Sequence, residues 1–243
     1  MGKLNKKVAL VTGASRGIGR GIVRAFAQEG ARLVITSRSE NDLAVVQAEA
    51  EQLGVEVAAQ AADVADAAQI EAVFAALRER FGRLDVLVNN AGAFDGGPIE
   101  ELSLEDWDRV IATNLRGPFL CTQQAMRIMK PQGEGRIINV GSISAQRVRP
   151  GSAPYSASKH GLWGLTQVTA LEGRPFGITC GCLHPGNILT ERREASNDPE
   201  DDEPMMSVGE IAEVALLMAA LPPHVEMLEA IVLPRDQLYV GRG

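Results

Sequence analysis

The chain has 243 residues, 45% of them hydrophobic, which is enough to bury the core of one large α/β domain. Its net charge of −7 argues against nucleic acid as a partner, because a phosphate-binding surface needs clustered Lys and Arg. No apolar run reaches the roughly 18 to 20 residues of a membrane helix, and the start MGKLNKKVALVTG passes directly into a strand pattern, so a cytoplasmic protein without a membrane partner is expected.

Short apolar runs alternate with helix-period stretches along the chain. Lys7 to Val11 is followed by Ile18 to Glu29, Arg32 to Thr36 by Glu40 to Leu53, and Val55 to Gln60 by Ala67 to Phe81. Asp85 to Val88 then precedes Leu104 to Met129, Arg136 to Val140 precedes Ser152 to Leu171, Ile178 to Leu183 precedes Val208 to Ala220, and Ala230 to Leu233 comes last. The apolar runs are nearly continuous in Val, Ile, Leu and Ala, the pattern of strands covered by helices on both faces. The expected fold is therefore a single-domain, Rossmann-type α/β fold spanning 1–243, with a doubly wound parallel sheet of about seven strands. Gly30, Gly54 and Gly82 each follow a helical run and are read as left-handed caps. Cys121, Cys180 and Cys182 lack metal spacing and an even disulfide count, and are read as buried small hydrophobes. The irregular segment Asn187 to Ser207 follows the sixth run, beside the strand ends where ligands of open α/β sheets bind. It reads as a substrate loop that closes as a lid, with Asp198, Glu200, Asp201, Asp202 and Glu203 as a solvated acidic face.

The first run leads into Thr12-Gly13-Ala14-Ser15-Arg16-Gly17-Ile18-Gly19 and then a helix. Glycines there let the backbone bend sharply and approach a pyrophosphate, whose charge meets the unpaired N–H groups of the helix start. Gly13, Ser15, Arg16, Gly17, Ile18 and Gly19 are thus candidate cofactor-binding residues. The second run ends Ile35-Thr36-Ser37-Arg38, with no Asp or Glu for a ribose 2′-hydroxyl. Ser37 and Arg38, with Arg16 at the same corner, supply a hydroxyl and guanidinium groups suited to a 2′-phosphate, so NADP(H) is expected; the alternative is an Arg38 that faces water or stacks on adenine. Beyond the fifth run lies Ser142, and Tyr155-Ser156-Ala157-Ser158-Lys159 opens a helix. Tyr155 and Lys159 stand at i, i+4, on one face and about 6 Å apart along the axis. An ammonium so placed favours the phenolate of a tyrosine that is otherwise a poor base at neutral pH.

Taken together these residues resemble the short-chain dehydrogenase/reductase family. The resemblance covers nearly the whole chain and rests on the glycine turn, Asp63-Val64 after the third run, Asn89-Asn90-Ala91-Gly92 after the fourth, Asn114, Ser142, Tyr155, Lys159 and Pro185-Gly186. It implies that Asp63 and Val64 flank the adenine, that Asn89, Ala91 and Gly92 line the cofactor cleft with Pro185 and Gly186 at its far end, and that Ile188 and Thr190 contact the carboxamide. It also implies an oxidoreductase passing a hydride between NADP(H) and a small carbonyl or secondary alcohol. In that enzyme Tyr155 is the general acid/base and Ser142 holds the substrate oxygen, while Lys159 binds ribose and activates Tyr155, and Asn114 holds a water of the proton relay.

Two other functions stay open: reduction of carrier-bound 3-oxoacyl groups, and a nucleotide-sensing regulator without chemistry, which the presence of both Tyr155 and Lys159 disfavours. The ending Pro222-Pro223-His224-Val225, then Ala230 to Arg235, resembles the branch that handles small 3-hydroxy acids, aldehydes and ketones. In the family the Tyr155 helix often lies at a subunit interface, and Gly161 and Gly164 around Trp163 suit close helix packing, so a homotetramer is expected, with a dimer next. His160, His184 and His224 show no metal spacing and are read as packing or surface residues, and no metal is expected.

Overall fold

The computed structural model describes residues 2–194 and 203–239. In chain order its main elements are β1 (Val8–Thr12), α1 (Gly17–Gln28), β2 (Arg32–Ser37), α2 (Glu40–Glu51), β3 (Val57–Ala61), α3 (Ala67–Phe81) and β4 (Val86–Asn89). There follow α4 (Leu104–Ile111), a π-helical turn (Ala112–Arg116), α5 (Gly117–Gln132), β5 (Gly135–Val140), α6 (Ala153–Gly173), β6 (Ile178–Pro185), β7 (Ile188–Leu189), α7 (Glu191–Glu194), β8 (Met206–Ser207), α8 (Val208–Ala220) and β9 (Glu229–Val232). Seven strands make one sheet in the order β3-β2-β1-β4-β5-β6-β9, with every pairing parallel.

Pleating sends alternate residues of each strand to opposite faces. Ala9 and Val11 of β1 and Leu33 and Ile35 of β2 meet Ile22, Val23 and Phe26 of α1, Leu43 and Val46 of α2 and Ile211 of α8. Leu10, Val34 and Leu87 turn the other way, onto Ile70, Phe74 and Leu77 of α3 and Cys121, Ala125 and Met129 of α5. Strands buried on both sides cannot alternate apolar with polar, which is why their runs read as continuous in the sequence. Gly30, Gly54 and Gly82 have φ of +81°, +83° and +67° and close the preceding helices as expected.

Two segments differ from the expectation. The stretch from Leu104 to Met129 is not one regular helix: the π turn around Asn114 inserts an extra residue into the ladder, a change that apolar spacing does not register. The segment from Asn187 carries structure of its own, because Ile188 and Leu189 pair with Met206 and Ser207 and α7 forms a single turn between them. Asp198, Glu200, Asp201 and Asp202 of the acidic run lie outside the described residues; Glu203 accepts a 2.7 Å bond from Asn187 Nδ2.

At the amino ends of the strands, far from the carboxyl-end cleft, the buried Asp85 carboxylate accepts from the Val8 amide (2.8 Å), Arg83 Nη2 (2.6 Å) and Lys7 Nζ (3.2 Å). Burial alone would push this carboxyl up, but the Arg83 guanidinium, the Val8 amide and the Lys7 ammonium outweigh it and hold it below the usual range. Both cations are two-fifths exposed or more, so the Coulombic share is small, and the main loss on Asp85→Ala is the stranded Val8 amide. The variant is expected to lose about 2 kcal/mol at pH 7. A depressed folded-state carboxyl stabilises above its unfolded pKa of about 3.9 and stops doing so as pH falls through the lower folded value. The part of the gap that depends on the charged carboxylate should therefore shrink below about pH 4, while the part due to the Val8 amide remains. Urea unfolding at pH 7 and pH 3 checks this, and a gap that persists undiminished at pH 3 refutes it.

Candidate active site

The strand order reverses between β1 and β4, whose carboxyl ends lie side by side, and such a switch point leaves a crevice. Thr12 Oγ1 accepts from the amides of Asn90 (3.0 Å) and Ala91 (3.1 Å), and Asn90 Nδ2 donates back to the carbonyls of Thr12 and Gly13. The turns after β1 and β4 are thereby clamped together. A Cβ on Gly13 would lie 2.7 Å from Ala91 Cα, and one on Gly19 would lie 2.2 Å from the Gly13 carbonyl oxygen, so only glycine permits this approach. Arg16, at the start of α1, provides no side-chain cap, and the first turn holds no acid. Instead the Gly17 amide donates 3.0 Å to the carboxylate of Glu191. An open helix start that already receives an anion has the chemistry to hold a nucleotide pyrophosphate.

At the neighbouring corner the Ala14 amide bonds the Thr36 carbonyl at 3.1 Å, joining the glycine turn to the end of β2. Ser37 Oγ leans on the Ser39 carbonyl at 3.4 Å, while Arg16 and Arg38 are exposed. Asp63 folds back to accept from the Ala65 amide (2.9 Å), and Val64 is buried against Gly117. The buried Asn89 amide donates to Asn139 Oδ1 (2.8 Å) and Thr122 Oγ1 (3.3 Å), tying β4 to β5 and α5. Ala91 and Gly92 remain at the cleft edge, half-buried and exposed.

The chemistry-bearing side chains gather at the end of β5. Lys159, buried on α6, donates from Nζ to the Val140 carbonyl at 2.8 Å, two residues before Ser142. That bond fixes the helix carrying Tyr155 against the strand that presents Ser142, and it leaves two ammonium protons for other partners. The ammonium lies 5.6 Å from the Tyr155 ring centre, and the Phe94 ring packs against Tyr155 with centroids 4.9 Å apart. Ser142 Oγ accepts from the Ser144 amide at 3.1 Å, opening a short 3-10 turn, Ile143–Ala145. Asn114 spends its amide on the loop after β4: Oδ1 accepts from the Ala93 amide (2.7 Å), and Nδ2 donates to the Ala93 carbonyl (2.9 Å) and Ser158 Oγ (3.2 Å).

At the far end Pro185 and Gly186 close β6, where the Gly186 amide bonds the Val232 carbonyl at 2.8 Å. Ile188 is buried, and Thr190 lies beside Gly17, where a Cβ would stand 3.5 Å from its methyl group. The segment after β6 thus bridges to the start of α1. Sequence reading passed over Glu191 and Gln237, whose Oε1 accepts from the Asn187 amide at 2.9 Å, and read as a packing or surface residue His184, a fully buried ring beneath Ser142. A polar residue directly before Pro185, inside an otherwise apolar run, was the only signal for the last. Cys121 and Cys182 are pushed by burial to a pKa of about 12, and Cys180 well above its ordinary value, so the thiols are protonated and inert. Among the described residues no group of His, Cys, Asp and Glu could hold a metal ion, and no helix is long and apolar enough to cross a membrane.

A glycine-turn cleft at a sheet switch point, beside a Tyr and a Lys one helical turn apart, defines a dinucleotide-dependent oxidoreductase. Residues 7–201 match the short chain dehydrogenase family, and the chain belongs to it. It is 36% identical over 242 residues to the 3-oxoacyl-[acyl-carrier-protein] reductase of Escherichia coli strain K12, covering 98% of this chain and 96% of that one. To a 3beta-hydroxysteroid dehydrogenase of Mediterraneibacter gnavus it is 40% identical over 199 residues, 80% of this chain and 72% of that one. The crystal structure of an actinorhodin polyketide ketoreductase variant with NADPH superposes with a TM-score of 0.88 at 35% identity, covering 98% of this chain and 100% of the other.

Proposed function

We propose that this protein is an NADP(H)-dependent oxidoreductase acting on a small free carbonyl or secondary alcohol. The observation that carries the reading is the Lys159 bond to the Val140 carbonyl, which holds Tyr155 and Ser142 to one strand end beside the cleft. NADP(H), held by the glycine turn and the start of α1, supplies the hydride. In reduction Tyr155 gives its phenolic proton to the oxygen of the carbonyl as that oxygen gains charge, and the Ser142 hydroxyl donates a second hydrogen bond to the same oxygen. Such general-acid help is worth roughly 10² to 10⁴ in rate, and one well-placed donor about 2.7 to 4 kcal/mol. Lys159 turns its remaining donors to the ribose and to Tyr155. Asn114, its side chain engaged, shapes the loop after β4. The stretch from Asn187 to Glu191 borders the substrate, supported by the Thr190 and Glu191 contacts at Gly17.

Cofactor choice is supported by the acid-free end of β2 and by the NADPH of the actinorhodin relative. NADPH is expected to bind at least tenfold more tightly than NADH, about 1.4 kcal/mol, and Arg38→Ala to remove most of that gap. Fluorescence titration with both nucleotides checks it; equal affinities in the unaltered protein overturn it. The substrate is tested by following nicotinamide absorbance with ethyl acetoacetate, cyclohexanone and an acetoacetyl group on acyl carrier protein. A second reading, reduction of carrier-bound 3-oxoacyl groups, is favoured by the near full-length match to the Escherichia coli reductase, and turnover confined to the carrier-bound substrate would establish it.

A cytoplasmic homotetramer is proposed for the assembly. Its support is the outer face of α5 and α6, where Phe119, Val168 and Leu171 stand exposed and a Cβ on Gly164 would meet nothing. Gly161 serves a different purpose, since a Cβ there would lie 2.9 Å from Leu115; its smallness seats α6 on the π turn.

A further inference from the structure

Backbone pairing of β5 with β6 stops just short of the proposed catalytic serine. The Gly141 amide bonds the Leu183 carbonyl at 2.7 Å, and Pro185 has no N–H with which to carry the ladder on. There the imidazole of His184 takes over. Its Nδ1 lies 2.8 Å from the Ser142 carbonyl oxygen and 3.3 Å from the Ser142 amide nitrogen. The ring can satisfy either group: as the Nδ1–H tautomer it donates to the carbonyl, and as the Nε2–H tautomer it accepts from the amide. Gly141 makes the room, because a Cβ there would stand 2.6 Å from Nδ1.

The rest of the ring is enclosed, although Nε2 itself makes no hydrogen bond among the described residues. The ring stands nearly perpendicular to that of Trp163, centroids 5.8 Å apart, on the same helix as Tyr155 and Lys159. Its Nε2 faces the Glu229 carboxylate of β9 at 3.4 Å. Glu229 in turn accepts from Gln146 Nε2, and Gln146 Oε1 accepts from the Tyr239 hydroxyl, so the far side of the loop after Ser142 is tied down as well. The charged or titratable groups around the ring are Lys159 of α6, Glu229 of β9 and Cys182 of β6, whose Sγ lies 4.0 Å from Nδ1. Burial holds the imidazole below its ordinary pKa, assisted by Lys159 and opposed by the Ser142 backbone and Glu229.

We propose that His184 is a positioning residue: it locks the main chain of Ser142 to β6 and thereby aims the Ser142 hydroxyl at the oxygen of the reacting carbonyl. The assignment rests on the catalytic reading of Ser142 given above. His184 is fully buried, closed off from any ligand in the cleft, so its removal should act on turnover through Ser142 and spare nucleotide binding.

Four variants test this with ethyl acetoacetate and NADPH: His184→Leu, His184→Asn, His184→Gln and Ser142→Ala. An Asn amide reaches the Nδ1 position and a Gln amide the Nε2 position. His184→Leu and His184→Gln should lower kcat by roughly 30-fold with the Kd for NADPH changed less than twofold, and His184→Asn should recover to within about threefold of wild type. In a Ser142→Ala background, His184→Leu should cost less than twofold more, since the group it positions is gone. Should His184→Leu fail to fold, the Asn and Gln pair decides the point. Hydrogen exchange at the amides of Ser142 to Ala145 gives a readout free of chemistry: protection should fall in His184→Gln and return in His184→Asn. Equal rates and equal protection in the Asn and Gln variants, or a His184→Leu loss undiminished in the Ser142→Ala background, overturn the proposal. A Ser142→Ala protein of normal rate strikes the catalytic reading instead, and the exchange data then judge His184 alone.

Discussion

Tyr155→Phe is expected to lower kcat at least ~100-fold while leaving the Kd for NADPH within about twofold of wild type. The substitution removes one oxygen and keeps the ring, so the Phe94 contact at 4.9 Å and the packing of α6 survive. What disappears is the proton that neutralises the developing alkoxide. Ser142 still donates a hydrogen bond, which leaves a residual rate above background but cannot complete the reaction. Steady-state kinetics, with nucleotide affinity measured separately by fluorescence, give the split. Retention of more than about a tenth of the rate would remove Tyr155 as the general acid.

Lys159→Met should damage both binding and turnover, with kcat falling at least ~100-fold and the Kd for NADPH rising at least ~10-fold. Methionine keeps an apolar stem of similar length in a buried site but offers no donor. The substitution removes the positive charge beside the phenol, the donor proposed for a ribose hydroxyl, and the 2.8 Å bond to the Val140 carbonyl. The last is structural and leaves a buried carbonyl unpaired, an additional cost of about 2 kcal/mol, which thermal unfolding of the nucleotide-free protein would show. A Lys159→Met enzyme that binds NADPH normally would disprove the ribose contact, whatever its rate.

The strands, the helices and the parallel sheet were legible because burial on both faces imposes continuous apolar runs, and capping glycines mark the helix ends. Legible too was the placing of Tyr155 and Lys159 one turn apart on a single helix, which spacing alone predicts; Ser142 joined them only through the family resemblance. Asn114 and Asn89 show where that reasoning stops. Each has the residue type that the resemblance associates with the cofactor cleft or the proton relay, and each has a further use that spacing does not show: the Asn114 amide holds the loop after β4, and Asn89 Nδ2 ties β4 to β5. A sequence gives the side chain and not the partner that has claimed it. His184 is the converse: its role depends on a contact with Ser142 across 42 positions, which no local pattern announces. Glu191 at the Gly17 amide was hidden in the same way, 174 positions from its partner.

The all-parallel sheet also bears on how the molecule is made. Among the described residues no pair of neighbouring strands is a hairpin, so every pairing in the sheet must wait for an intervening crossover. The pairing that creates the cleft, Ala9 with Val86, comes only after two full strand-helix units have been threaded to one side. Closing so long a loop costs entropy before any contact repays it, which makes folding slow and leaves partly paired strand edges exposed on the way. The nucleotide site therefore does not exist in any early local fragment; it arises when the two halves of the sheet meet. A ligand that recognises only that junction stabilises the whole fold, by about 2.7 kcal/mol at a hundred times its Kd, and shields the freshly assembled sheet from unfolding.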